Sequence, residues 1–113
     1  MEDLQILEQR EVLGREFTIY GTKEEPLFLA KDVAEFIDYA KMKSGTYNVA
    51  QMLSSIDEDE KLVYKIYISG QNRNMWFLTE NGIYEVLMQS TKPIAKQFKK
   101  QVKAILKEIR LNG

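Results

Sequence analysis

The chain has 113 residues, 44% of them apolar and 11% aromatic, which suits one ordinary globular domain. It contains no cysteine and no histidine, so disulfide frameworks, zinc fingers, thiolate chemistry, His-based metal sites and the Ser/His/Asp triad are excluded. The formal net charge of −1 hides an asymmetry: residues 1–91 hold 9 basic and 16 acidic side chains, a net of −7, whereas residues 92–113 hold 7 basic residues and one acid, a net of +6.

The N-terminal MEDLQILEQREVLG carries acids where a secretory signal needs a basic start, and no apolar run approaches the roughly 18 residues required to span a bilayer. A cytoplasmic location with no membrane contact is the expectation. Residues 16–29, EFTIYGTKEEPLFL, place two short apolar or β-branched runs around a polar loop at Gly21–Pro26, which predicts a β-hairpin. AKDVAEFIDYA then sets Val33, Ala34, Phe36 and Ile37 on one helical face, with Asp32 near the start. Lys41–Gly45 interrupts this pattern. Thr46 is the expected N-cap of a second helix, in which Val49, Met52, Leu53 and Ile56 recur at helical spacing.

After the acidic turn Asp57–Glu60, KLVYKIYISG and MWFL read as two strands joined by a polar turn, QNRN, at Gln71–Asn74. Thr79 is placed to cap a helix that begins at Glu80 and carries Ile83, Tyr84, Val86, Leu87 and Met88 on its core face; Gly82 weakens its propensity by up to about 1 kcal/mol. The last segment, KPIAKQFKKQVKAILKEIRLNG, has Pro93 in a first turn and Gly113 as a terminator. At about 100° per residue, Ile94, Phe98, Val102, Ile105 and Ile109 fall within about 80° of arc, and Lys96, Lys99, Lys100, Lys103, Lys107 and Arg110 cluster opposite them. Strands and helices mix without βαβ alternation. The expected fold is therefore α+β: one domain over 1–113, a small antiparallel sheet with about four helices packed on it, ending in a long amphipathic basic helix.

The motifs of phosphate-binding loops, dinucleotide folds, calcium loops and nucleophile elbows are all absent from the sequence. No catalytic residue, metal ligand or cofactor is implied, and the expectation is a binding module rather than an enzyme. The lysine face has three readings. It is a solvated surface, it meets an anionic partner such as DNA, or it is neutralised inside the fold by the acidic run Asp57–Glu60. Like charges at i,i+4, such as Lys96 with Lys100 and Lys99 with Lys103, each cost roughly 0.2–0.5 kcal/mol, which an anionic partner would turn into binding energy.

A second candidate surface is the segment Lys41–Gln51. Lys41, Lys43 and Ser44 would position phosphates, and Tyr47, Asn48 and Gln51 would stand at the start of a base-reading helix; the alternative for these polar residues is ordinary capping. Arg73, at a hairpin tip, would reach phosphate or simply occupy a polar turn. Tyr64, Tyr67, Trp76 and Phe77 would stack on unpaired bases or build the core.

Three strings in register resemble a known family: F-x-A-K-D-V-A at Phe28–Ala34, L-T-E-N-G-I-Y at Leu78–Tyr84 and S-x-K-P-x-A-K-x-F at Ser90–Phe98. Together they resemble the Bro-N domain of phage antirepressors and large DNA-virus proteins, over roughly residues 15–112. The segment Asp38–Lys43 departs from the G-Y-x-N-P-like turn usual in that family, and Gln101–Val102 stands near the position where the family often has tryptophan. The resemblance implies a small α+β, DNA-binding module, usually the N-terminal part of a longer protein, that relieves repression in a bacterial or phage-infected cell. The rival reading is a module that sequesters a repressor protein without touching DNA, which the isoelectric point near 5.6 favours. A homodimer is expected from the habit of DNA-binding modules to read paired half-sites.

Overall fold

Polar and apolar side chains mix along Ile6–Val12 (β1) and Arg15–Gly21 (β2), and the computed structural model, which describes residues 4–39, 43–68 and 70–112, pairs them as an antiparallel hairpin. Leu13 and Gly14 make the turn, both at positive φ (51° and 81°), a geometry that matches the twist of flanking strands. β1 is one strand more than the sequence predicts. A register shift between Ile6 and Glu8 breaks the alternation that would have marked it.

Pro26–Leu29 (β3) returns against β2, with Tyr20 opposite Leu27, which is the hairpin expected over 16–29. It runs directly into Ala30–Phe36 (α1), and Val49–Ser54 (α2) follows. A single 3-10 turn at Glu58–Glu60 leads into Lys61–Ile68 (β4), which pairs with Gln71–Leu78 (β5). Glu80–Gln89 (α3) and Pro93–Asn112 (α4) complete the order. The strands form one antiparallel sheet in the order β1-β2-β3-β5-β4, closed in the middle by Phe28 opposite Leu78 and Leu29 opposite Phe77. The fold is the expected α+β arrangement, with a five-stranded sheet.

All four helices contribute buried residues to a main core that also takes Val12, Phe17, Ile19, Phe28 and Leu78 from the sheet. Its centre is aromatic: Phe98 of α4 lies edge-on to Phe17 at 5.0 Å and stacks on Phe36 at 4.6 Å. Leu27, Leu29 and Phe77 belong to a second cluster to which no helix contributes. Alternation along the strands puts these residues on the other face, so the helices cover one side of the sheet only.

Three local expectations are corrected. β4 ends at Ile68 and β5 already begins at Gln71, preceded by Gly70 with a φ of 80° at no steric cost, so Gln71–Asn74 lies within β5 and not in a turn. The cap of α2 is Asn48 rather than Thr46: Asn48 Oδ1 accepts from the Gln51 N–H at 3.0 Å, and the Thr46 hydroxyl bonds Ser44 at 2.9 Å instead. On α4, Ile94 is 38% exposed, and Ala95 and Leu106 are buried beside Phe98, Val102 and Ile105. The core face is turned slightly from the predicted one.

Candidate nucleic-acid interface

α4 reaches its length because its apolar residues recur at helical spacing for five turns, and burial of Phe98, Val102, Ile105 and Leu106 clamps it to the core. Its charged residues, with Lys92 just before its first turn, divide into two sets. One set anchors the helix. Lys92 Nζ bonds the Asp38 carbonyl and lies 3.8 Å from its carboxylate. Glu108 accepts from Arg10 of β1 at 3.2 Å. Arg110 donates to both oxygens of Glu80 on α3, at 2.6 and 3.1 Å, and to the Lys23 carbonyl. Those bonds from Arg110 hold the Glu80 carboxyl below its usual range, with burial opposing. Burial, reinforced by the neighbouring Glu80 charge, pushes the Tyr84 phenol up to about 12.

Lys96, Lys99, Lys100, Lys103 and Lys107 form the other set. None of the ion pairs among the described residues takes any of them. Lys96, Lys100, Lys103 and Lys107 are exposed and lie in one row along the helix, a run of roughly 16 Å at 1.5 Å per residue. Lys103 Nζ also sits 5.7 Å from the ring centroid of Tyr84. The acidic run does not neutralise this face. Glu60 accepts from the Thr79 hydroxyl, Glu58 lies 3.6 Å from Lys61, and the whole run packs beside β4 and the start of α3. The reason is topological: the strand that follows the run is the sheet edge, not a neighbour of α4.

The other predicted contacts separate. Lys41 lies outside the described residues. Lys43 and Ser44 are exposed in the connection between α1 and α2, and Tyr47 is half-buried against the main core. Lys92, one turn before Lys96, reaches Asp38 at the start of that connection, so the N-terminal end of the lysine row and the connection adjoin. Asn48 and Gln51 are engaged with each other: besides the cap, Asn48 Nδ2 donates to Gln51 Oε1 at 3.2 Å. Capping accounts for both. Arg73, shifted from turn to strand, pairs opposite Ile66 and donates to Gln71 at 3.3 Å, on the sheet face away from the helices.

The four aromatics also divide. Phe77 is fully buried and Tyr64 packs edge-on against it, whereas Trp76 (43% exposed) and Tyr67 (72%) look out from the opposite face of the same strands. Trp76 joins Tyr47, Val49, Thr46, Lys31 and Glu35 around a cleft of 390 Å³ between α1, the start of α2 and β5. The period-2 pattern already separates Trp76 from Phe77; the cleft depends on how the α1–α2 connection folds back, which that pattern does not encode. Among the described residues no group of three or more acidic side chains is placed to hold a metal ion, and no helix is long and apolar enough to cross a membrane.

Two comparisons place this architecture among known proteins. The profile of the BRO family, N-terminal domain, matches residues 16–108. The Bro-N domain-containing protein 289L of Invertebrate iridescent virus 6 is 27% identical over 112 aligned residues, which cover 82% of this chain and 25% of that protein. The chain thus spans about a quarter of the length of this relative. No solved structure gives a significant match.

Proposed function

The chain belongs to the BRO family as a Bro-N domain, and from that premise we propose that it is a regulatory module that binds DNA without catalysing a reaction, in the manner of a phage antirepressor. The observation that carries this reading is the row of lysines on α4 that takes part in none of the ion pairs among the described residues, although Glu108 and Arg110 of the same helix and Lys92 just before it are paired. Lysines held on a rigid helix release counterions when they meet phosphates, and that gain offsets the repulsion stored along the row. Lys43 and Ser44, exposed in the connection whose first residues reach Lys92, are further phosphate contacts under this reading. With Asn48 and Gln51 committed to the α2 cap, the contact is to backbone phosphates more than to base edges. A repressor protein and a second copy of the chain are further partners under this reading.

The test is a fluorescence-anisotropy titration with random-sequence duplex DNA at low salt, using the wild type and the variant Lys96→Gln, Lys100→Gln, Lys103→Gln, Lys107→Gln. The wild type is expected to bind, and the variant to bind at least about tenfold more weakly while melting, by circular dichroism, no lower than the wild type, since the repulsion along the row is relieved. Equal affinities would remove α4 from the interface. No binding by the folded wild type would leave repressor sequestration as the function.

A further inference from the structure

Among the described residues the helices leave one face of the sheet bare; across β3, β4 and β5 that face is largely apolar, with Arg73 beside Ile66 at the end away from the acidic turns. Tyr20, Leu62, Tyr64, Ile66 and Met75 lie there half-buried around the fully buried Phe77, with both tyrosines edge-on to its ring. Two clefts open beside them, of 490 and 250 Å³, and share Leu27, Tyr64 and Glu25. The larger has Leu27, Leu62 and Tyr64 along its lining, Glu24 and Glu25 from the β2–β3 turn on one side, and Glu58, Asp59 and Glu60 from the turn before β4 on the other.

We infer that this bare face docks a segment of a partner protein in which arginine or lysine residues alternate with apolar ones. Charge complementarity selects that occupant. Glu60 is bonded by Thr79 and Glu80 by Arg110, but Glu24, Glu25 and Asp59 enter none of the ion pairs among the described residues. Lys61, a cation of the cleft, donates its Nζ to the Leu53 carbonyl at 2.8 Å and lies 3.6 Å from Glu58, which leaves Glu24, Glu25 and Asp59 to an incoming cation. An apolar floor between carboxylate walls accepts a long side chain whose aliphatic stem lies on Leu27 and Leu62 while its charged head meets the acids or the ring of Tyr64.

Nucleic acid is repelled by the same walls. A second copy of the chain fits less well, because the apolar side of its basic helix is already buried in its own core. No residue of α4 belongs to the apolar cluster on the bare face, so the lysine row and the docking face use different residues. The inference does not depend on the DNA reading.

The test is an NMR titration of isotopically labelled protein with a short synthetic peptide of arginine, leucine and serine, and with the same peptide carrying glutamate for arginine. The arginine peptide is expected to shift the amide signals of Leu62, Tyr64, Ile66 and Met75. Its affinity should fall by about tenfold in the surface variant Glu24→Gln, Glu25→Gln, Asp59→Asn and by a similar factor in Ile66→Thr, which keeps a β-branched residue in the strand. Equal binding of the glutamate peptide, shifts confined to α4 or to the cleft beside Trp76, or no shifts at all would overturn the proposal. Shifts on the bare face that follow protein concentration without peptide would assign it to a second copy instead.

Discussion

Gly82 is required where α3 passes the Glu60 carbonyl, since a Cβ there would collide with that oxygen while Leu78 closes the other side. The close passage serves the cap. Thr79 donates its N–H to the Glu60 carbonyl at 3.1 Å and its hydroxyl to the Glu60 carboxylate at 2.6 Å, while its Oγ1 accepts from the Gly82 N–H. In the sequence Gly82 reads only as a weak helix former; its reason is tertiary. Gly82→Ala should therefore destabilise the protein by about 1–2 kcal/mol, because overpacking outweighs the gain in helix propensity. Urea denaturation checks this, and increased stability would show that the two turns separate easily. Glu80 supplies a pH signature. Its carboxyl is held below the ordinary 4.5, chiefly by Arg110. The stabilisation is complete above the unfolded value and is lost as pH falls through the lower, folded one. Glu80→Gln should flatten the acid limb of the stability profile below about pH 4.5 and leave its shape at neutral pH unchanged, as read by denaturation at a series of pH values.

Elements were legible in proportion to their length and regularity. α4, at 20 residues, repeats its apolar pattern often enough that its start at Pro93 and its lysine face are evident in the sequence, though not that Ala95 and Leu106 outrank Ile94 in the core. β1 was hidden by its register shift. The β4–β5 turn was misplaced because QNRN is polar, whereas the backbone chose the glycine three residues before Arg73. Of the candidate site, the lysine row was legible and the face of Arg73 was not, since a shift from turn to strand decides which side of a sheet a residue occupies. The bare face and its clefts arise from strands distant in sequence, β3 pairing with β5, and no local pattern announces them. α2 has only six residues, so its cap matters more than its propensity. Asn48→Ala should cost about 1 kcal/mol in stability and change DNA affinity little. A large loss of affinity with unchanged stability would make Asn48 a base-reading residue.

For the molecule as a whole, the division of charge along the chain becomes a division in space. The +6 segment forms α4 with its exposed lysine row, and carboxylates from the −7 segment line the larger cleft beside the uncovered side of the sheet. Salt bridges such as Arg10–Glu108 and Arg110–Glu80 join the two parts without cancelling either surface. Such a distribution of charge attracts polyanions to the lysine row and repels them from the carboxylates, which would orient the module on DNA under the proposed function. The most direct test is the salt dependence of duplex binding. If the α4 lysines contact phosphates, log affinity falls linearly with log salt, with a slope of magnitude up to about 4.5 for five contacts, and the four-glutamine variant brings that slope close to about 1. A wild-type affinity that barely changes with salt, or a variant with an undiminished slope, would contradict the assignment of α4 as the phosphate-binding surface.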